Sequence, residues 1–244
     1  MSQPGVDLLF SPPGATDLVL LAHGGYEHSH KNPGSWRAPI LRMWPLAAAA
    51  RAAVPTAAVG LMRYRYRGWN DVGDPATDLR SVLDALPFER VVLIGHSMGG
   101  RAVVAAGDHP RVAGVLGLAP WLPSSEPLIA LRPPVMFAHG NDDTVTSPGD
   151  TRAYANRLRA AGTPVSLVCL AGETHAMLHR THDWNALVAT FTEYALTGSG
   201  EFVPEDLQWP TAESPTSTAT AVLNVAWTRL RLPVRERIRV TNPK

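Results

Sequence analysis

The chain has 244 residues, 45% of them hydrophobic and 18% charged, which is typical of a globular protein with its own core and excludes a disordered one. The net charge of +1 gives no indication of a nucleic-acid partner or of a strongly acidic one. The single cysteine, Cys169, lies in an apolar run and excludes an internal disulfide.

The N-terminal stretch MSQPGVDLLFSPPGATD has no positively charged region ahead of a hydrophobic one, so it does not resemble a secretory signal. The apolar run that follows, LVLLA, is far too short to span a bilayer. We therefore expect a cytoplasmic protein without a transmembrane segment.

Short apolar runs alternate with longer stretches of helical character along most of the chain. The runs predict strands at Leu18–Ala22, Ala57–Met62, Val91–Ile94, Val112–Leu118, Val135–Ala138 and Val165–Leu170. The stretches between them predict helices at Ala38–Val54, Pro75–Leu86, Met98–Ala106, Ser147–Ala161 and Asp183–Leu196. Apolar strands separated by helices imply an α/β fold, with a mostly parallel central sheet covered by helices on both faces. Val6–Phe10 predicts one additional antiparallel edge strand.

Two segments interrupt this alternation. The insert APWLPSSEPLIALRPP, at residues 119–134, is rich in proline and leaves no room for a sizeable helical cap domain, so we expect an open site above the sheet. After Thr197 the composition shifts to Gly, Pro, Ser and Thr, which divides the chain into a main domain (1–198) and a C-terminal extension (199–244).

The extension ends in an apolar stretch, Ala221–Leu232, that predicts a short basic amphipathic helix together with the arginines following it. Such a helix could dock on the main domain. It could also contact a membrane surface or a partner protein, and disorder is a third interpretation.

The motif that carries chemistry is VVLIGHSMG, at residues 91–99, in which Ser97 stands between Gly95 and Gly99. A sharp strand-to-helix turn needs small neighbours two positions from its central residue and leaves the serine oxygen exposed above the sheet. The following helix directs free N–H groups toward the place where an oxyanion would form. An ordinary strand-to-helix turn with an incidental serine is the alternative interpretation.

A serine hydroxyl needs a histidine to take its proton and a carboxylate to orient that histidine. Asp142 and Asp143 follow the strand at 135–138, and either could be that carboxylate while the other caps the turn. Among three nearby histidines, His175 directly follows the last strand and a short turn, whereas His179 and His182 lie in or before the next helix. We therefore predict His175 as the base.

Two backbone N–H groups should hold the oxyanion. Met98, which follows the nucleophile, supplies one of them, and the loop LVLLAHGGYEHS supplies the other, with Gly25 favoured and Tyr26 as the alternative. Tyr26 and Trp121 are predicted to line the substrate pocket, although Trp121 could equally be a structural aromatic. Arg63, Arg65 and Arg67 could attract an acidic substrate, but ordinary solvated or ion-paired arginines are the favoured interpretation.

A metal site is the remaining option for the histidines. His175, His179 and His182 have helical spacing but lack the order of ligands that a zinc site requires, and His28 with His30 is only a loop pair. We predict no metal and no cofactor.

The order HGG, GHSMGG, HGNDDTV and GETH resembles the α/β-hydrolase fold superfamily, in particular small cap-less bacterial serine hydrolases of the esterase and dienelactone-hydrolase type. The resemblance covers roughly residues 6–197. It implies that Asp143 rather than Asp142 is the catalytic acid, and it supports His175. Dienelactone hydrolases proper use a cysteine nucleophile, so Ser97 argues against the dienelactone reaction itself.

Together these features predict a serine hydrolase that cleaves a small ester or thioester through Ser97, His175 and Asp143. An acyltransferase, perhydrolase or lyase on the same residues is an alternative function. A ligand-binding protein that retains the fold without catalysis is another.

Overall fold

The computed structural model describes residues 3–32, 34, 37–132, 134–209, 228, 232 and 234–240. Its strands are β1 (Gly5–Phe10), β2 (Asp17–Ala22), β3 (Ala58–Arg63), β4 (Arg90–His96), β5 (Val112–Leu118), β6 (Val135–Gly140), β7 (Val165–Leu170), β8 (Asp206–Trp209) and β9 (Glu236–Arg239). Its helices are α1 (Ala38–Leu41), α2 (Met43–Ala53), α3 (Asp74–Ala85), α4 (Met98–Ala105), α5 (Pro148–Ala160) and α6 (Thr181–Thr197). Each strand and helix predicted up to residue 197 is found, with bounds that differ by no more than two residues, except that the first predicted helix is split in two at Arg42.

The strands form one sheet in the order β8-β7-β6-β5-β4-β2-β3-β1-β9. The first seven strands of this order, from β8 through β2 to β3, are parallel to one another. β1 is antiparallel to both of its neighbours, β3 and β9. The predicted fold class is therefore confirmed. The chain order reverses between β2 and β4, and the crevice outside the carboxyl ends of strands at such a reversal is where ligands bind in open α/β sheets.

Alternating side chains of the central strands supply two separate apolar cores. On one face, Leu20 and Leu93 pack beneath α3, α4 and α5; on the other, Leu21 and Ile94 pack beneath α2 and α6. All four of these side chains have no solvent exposure. Because helices cover both faces, the strands are apolar throughout, which is the pattern that made them predictable.

The C-terminal extension contributes two strands to this sheet. β8 pairs in parallel with β7, and β9 pairs with β1, so β1 is not the edge strand that the sequence predicted. Arg237 of β9 forms an ion pair with the buried Asp7 of β1, with Nε 2.6 Å from Oδ1. The helix predicted at 221–232 falls on residues that lie, except for Thr228 and Leu232, outside the described part of the chain. The division at residue 198 and a membrane or partner contact through the extension remain predictions.

The insert at 119–134 contains no helix among its described residues, so the expected absence of a sizeable cap is confirmed. Within the described residues, no helix combines the length and apolarity that crossing a membrane requires.

Candidate active site

The turn between β4 and α4 holds Ser97 in a strained backbone conformation, with φ at 56° and ψ at −120°. A non-glycine residue in such a region costs about 1–3 kcal/mol, and the surrounding packing must enforce it. A Cβ on Gly95 would lie 2.2 Å from the carbonyl oxygen of Gly99, and one on Gly99 would lie 2.2 Å from that of Ala22. Both positions therefore exclude any side chain, which is the physical basis of the small-residue pattern around the serine.

His175 and Asp143 form a continuous hydrogen-bonded chain with Ser97. The Nε2 atom of His175 lies 3.0 Å from Ser97 Oγ, and its Nδ1 atom lies 2.7 Å from Asp143 Oδ2. This geometry has Nδ1–H donating to the carboxylate and leaves Nε2 as the acceptor that faces the hydroxyl. The structure thus brings together the three side chains singled out in the sequence, from the loops after β4, β6 and β7.

Asp143 is buried, and burial alone would raise its pKa. Hydrogen bonds from His139 and His175, together with the N–H groups of Thr146 and Val145, outweigh burial and hold the pKa of this carboxyl well below its usual range. The Thr146 hydroxyl also lies 2.9 Å from Oδ2. Asp143 is therefore a fixed negative charge beside the imidazole.

Asp142, the other candidate acid, is exposed, and its backbone N–H donates to the carbonyl oxygen of Glu173. Its position in the turn places it apart from the chain of hydrogen bonds that joins Asp143 to Ser97. The two adjacent aspartates, which the residues alone left open, therefore occupy different environments.

A fully buried carboxylate, Glu173, holds the loop that carries His175. Its oxygens accept hydrogen bonds from the N–H groups of Thr174 and Arg180, at 2.8 and 2.7 Å, and from the indole N–H of Trp184, at 3.0 Å. The sequence did not indicate this role of Glu173, because the groups that donate to it come together only when the chain folds and the loop packs against α6.

His96, which precedes Ser97, packs against His175 with ring centroids 4.8 Å apart. Its Nε2–H donates to the His175 carbonyl oxygen at 3.1 Å. Burial lowers the pKa of His96 well below its ordinary value, so this ring is neutral and supports the backbone of His175 rather than exchanging protons.

The loop after β2 passes directly beside the serine. A Cβ on Gly24 would lie 3.2 Å from Ser97 Cβ, and one on Gly25 would lie 2.5 Å from Met98 Sδ. The N–H groups of Gly25 and Met98 have no acceptor among the described residues, whereas the Tyr26 N–H donates to the Arg67 carbonyl oxygen at 2.9 Å. Of the two alternatives for the second oxyanion donor, Gly25 is therefore the one whose N–H is available.

Ser97 and His175 open into a cleft of about 450 Å³. Most of the other residues lining it come from the segments after β2, β6 and β7: Gly24, Gly25, Tyr26, Ala38, Pro39, Arg42, Thr144, Val145, Thr174 and Ala176, together with His96. Tyr26 and Val145 are large apolar residues exposed at this cleft, at 50% and 70%.

Trp121, the other predicted pocket residue, is not among the described residues that line this cleft. The Arg101 guanidinium carbon lies 4.6 Å from its ring centroid and 3.9 Å from that of Trp69. This stacking keeps Trp121 packed against the core, as in the structural interpretation that the sequence left open. Its backbone N–H donates to the Ser97 carbonyl oxygen at 3.0 Å, so it supports the turn from behind.

The remaining histidines form no cluster with the chemistry of a metal site. Among the described residues, no group of three His, Cys, Asp or Glu side chains is arranged to hold an ion. His179 lies near Glu173, with Nδ1 3.7 Å from Oε1, and His182 is exposed on α6.

Comparison with known proteins gives a family and a fold. The sequence model of the alpha/beta hydrolase family matches residues 19–232. Curated protein sequences yield no significant match.

Several solved structures have a similar backbone. Esterase PE8 is 19% identical, with a TM-score of 0.58 over 80% of this chain and 100% of its own. An alpha-beta serine hydrolase homologue from Coxiella burnetii is 18% identical, with a TM-score of 0.54 over 80% and 92% of the two chains. Esterase Est2 from Thermogutta terrifontis, solved with propionate bound, is 16% identical, with a TM-score of 0.59 over 82% and 92%. At these identities the likeness concerns the fold.

Proposed function

Because the chain belongs to the alpha/beta hydrolase family, we propose that it is a serine hydrolase that cleaves a carboxylic ester or thioester of a small molecule. The observation that carries the proposal is the chain of hydrogen bonds from Ser97 Oγ through His175 to the buried Asp143, with Ser97 and His175 both lining the cleft. The names of two structural neighbours, esterase PE8 and esterase Est2, agree with this chemistry.

In the proposed first step, Ser97 Oγ attacks the carbonyl carbon of the substrate while His175 Nε2 takes its proton. The N–H groups of Gly25 and Met98 stabilise the negative charge on the former carbonyl oxygen. Asp143 keeps the imidazole in the required tautomer and stabilises the imidazolium that forms. The protonated His175 then gives its proton to the leaving alcohol or thiol.

In the second step, water attacks the acyl group bound to Ser97, and His175 again takes and returns the proton. The uncapped cleft supports water as the acceptor, since the described residues of the insert at 119–134 contribute no helix that would cover the acyl group. Tyr26 lines the cleft beside Gly25 and is proposed to contact the substrate.

The test combines a covalent probe with a substrate panel. We expect a fluorophosphonate probe to label the wild-type protein and short p-nitrophenyl esters to be hydrolysed, and both activities to be lost in Ser97→Ala. Ser199→Ala, at an exposed serine just after α6, is the matched control and should behave like the wild type. Undiminished hydrolysis by Ser97→Ala would refute the assignment.

The same preparation separates the alternative functions. Labelling of Ser97 without ester hydrolysis, together with product formation when alcohols or peroxide are supplied, would indicate acyl transfer. Absence of labelling in the folded wild-type protein would indicate a ligand-binding role for the same cleft.

A further inference from the structure

Arg42 lines the cleft together with Ser97 and His175, and sequence reasoning did not single it out. It stands at the junction of α1 and α2, where the chain turns between the two helices, and its side chain is partly buried. Among the described lining residues it is the only arginine or lysine. Burial is the largest cause of the lowered pKa of His96, the residue before Ser97, and the charge of Arg42 lowers that pKa further.

Most arginines in the described part of the chain have an anionic or carbonyl partner. The ion pairs join Arg63 to Asp7, Arg65 to Asp78, Arg90 to Asp17 and Arg101 to Glu126. Arg67, the third arginine of the alternating run that the sequence offered as a site for an acidic substrate, donates to the Asn32 carbonyl oxygen at 2.8 Å. These side chains are occupied with structural contacts, in agreement with the favoured interpretation of that run.

Arg42 differs from them, because no hydrogen bond or ion pair joins its guanidinium to any residue in the described part of the chain. The negative charge of Glu173 raises the pKa of Arg42 through space, without a hydrogen bond between the two side chains. The Glu173 oxygens already accept N–H groups of Thr174, Arg180 and Trp184. Burial, the larger effect, lowers the pKa of Arg42 from its ordinary value. A partly desolvated guanidinium with unused donors is a site that favours an anion.

We propose that Arg42 binds a carboxylate of the substrate, so that the compound cleaved at Ser97 is an ester or thioester carrying a negative charge. This inference rests on the proposed function and names its substrate class. A carboxylate fits better than a phosphate, because the neighbouring lining residues Ala38, Pro39 and Val145 are apolar and add no further charged donor. One guanidinium matches the two oxygens of one carboxylate in a bidentate pair.

The experiment compares two substrates that differ in a single charge. Mono-4-nitrophenyl adipate has a free carboxylate at the end of its acyl chain, and methyl 4-nitrophenyl adipate has a methyl ester there. We expect the wild type to prefer the charged compound in kcat/KM, mainly through a lower KM. Arg42→Gln should reduce the ratio of the two kcat/KM values about tenfold to hundredfold, and Arg42→Lys should reduce it less. The preference should also weaken with added salt.

Arg51→Gln is the matched control. Arg51 lies on α2, the helix that begins directly after Arg42, but its guanidinium packs over the Phe10 ring, with its carbon 4.2 Å from the centroid, and does not line the cleft. The variant removes the same charge from a position outside the cleft and should keep the wild-type ratio. Fluorophosphonate labelling of each variant counts the intact sites, so a folding defect cannot be mistaken for a loss of recognition.

Four outcomes would overturn the proposal. Three concern kcat/KM: no preference for the charged ester in the wild type, an equal loss of kcat/KM on both esters in Arg42→Gln, or an equal fall of the ratio in Arg51→Gln. The fourth is competitive inhibition that depends on Arg42 and is stronger with inorganic phosphate than with adipate. All four would leave the proposed hydrolase activity standing. The four outcomes can be told apart, because each is seen in a different protein variant or with a different ligand.

A binding measurement keeps the two proposals separable. Titration calorimetry follows adipate binding to Ser97→Ala and to the double variant that also carries Arg42→Gln. Binding that requires Arg42, in a protein whose wild type cleaves no ester, would support the anion site and refute the hydrolase. Absence of binding to Ser97→Ala, together with esters cleaved without regard to charge, would refute the anion site alone.

Discussion

One wall of the cleft consists of the loops after β4, β6 and β7, and the other consists of residues 23–26 and 38–42, which follow β2. In the first, which we name the catalytic wall for its proposed role, Asp143 and Glu173 each accept several hydrogen bonds, and His175 is held at both ring nitrogens. In the second, the β2 wall, the Gly25 N–H and the Arg42 guanidinium have no acceptor among the described residues. In the catalytic wall the side chains of Ser97, His175 and Asp143 are hydrogen-bonded to one another, and the Met98 N–H has no acceptor among the described residues. The β2 wall adds a second backbone N–H and a guanidinium that a substrate would satisfy.

This difference has an energetic meaning. A buried polar group without a partner costs about 1–3 kcal/mol, so a folded protein keeps one only where something else binds it or where packing imposes it. Fully satisfied groups hold their geometry before the substrate arrives, which lowers the cost of reorganisation during the reaction. The comparison therefore predicts that substitutions in the catalytic wall affect mainly the rate of the chemical steps. Substitutions in the β2 wall should affect oxyanion stabilisation and substrate choice.

The largest effect is expected from Asp143→Asn in the catalytic wall. The amide nitrogen of asparagine would favour the tautomer of His175 that carries its proton on Nε2, which cannot accept the proton of Ser97. We expect kcat to fall about 10³–10⁴-fold with little change in KM. Hydrolysis of p-nitrophenyl butyrate, normalised to the amount of folded protein, measures it.

Asp142→Asn is the control for that variant, because it changes an exposed aspartate in the same turn by the same atoms. We expect its kcat to stay within about twofold of the wild type. A large loss in Asp142→Asn with a small one in Asp143→Asn would reverse the assignment of the acid.

The second largest effect is expected from Gly25→Ala in the β2 wall. A Cβ on Gly25 would lie 2.2 Å from the Arg67 carbonyl oxygen, so Gly25→Ala must displace the loop and with it the Gly25 N–H. Losing one oxyanion donor lowers kcat about 10²–10³-fold. Gly149→Ala is the control, since its Cβ would meet only the Ser147 hydroxyl at an ordinary 3.5 Å.

If Gly25→Ala retained full kcat while its thermal unfolding temperature fell, the loop would be a structural element and the oxyanion donor would have to be another group. The reverse result, a large fall in kcat without a change in unfolding temperature, would separate the donor from the packing of the loop. The two measurements together therefore test the role of the β2 wall.

Most of the catalytic wall could be predicted from the sequence, because its residues stand at the ends of buried parallel strands and these strands are apolar throughout. Ser97 is marked by glycines that the turn requires, and the histidine and the aspartates follow later strands directly. Glu173 and His139 could not be predicted, since their partners come from α5, α6 and neighbouring loops and no local pattern marks them.

The β2 wall was harder to predict. The run at 38–54 has the composition of one helix, so the break at Arg42 and the placement of that side chain in the cleft were missed. Pro45, in the first turn of α2, is the signal that could have indicated a new helix start. The strands β8 and β9 were also missed, because outer strands of a sheet carry charged residues in place of an apolar run, as in the ERIR of β9.

The smallest expected effect concerns the pH dependence of the free energy of unfolding, to which the two walls contribute differently. His23, at the base of the β2 wall, donates from Nδ1 to the Gly24 carbonyl oxygen at 2.8 Å, and its Nε2 is buried without a partner. Burial lowers the pKa of His23 from 6.5 to about 4. The unfolded chain therefore binds a proton at His23 between pH 6.5 and 4 that the folded protein does not, so the free energy of unfolding falls as the pH is lowered through this window. In the catalytic wall, Asp143 keeps its charge throughout this range because its pKa is well below the usual value.

We expect His23→Phe, which keeps an aromatic ring against Tyr64 but cannot take up a proton, to reduce the loss of unfolding free energy between pH 7 and pH 4.5 by about 2–3 kcal/mol. The variant should be less stable than the wild type at pH 7, since the Gly24 carbonyl oxygen loses its donor. Urea unfolding at the two pH values measures both terms, and His182→Gln, at an exposed histidine of α6, is the control. An unchanged pH dependence in His23→Phe would mean that the acid response of the fold comes from other groups, with the buried His96 beneath the catalytic wall as the next candidate.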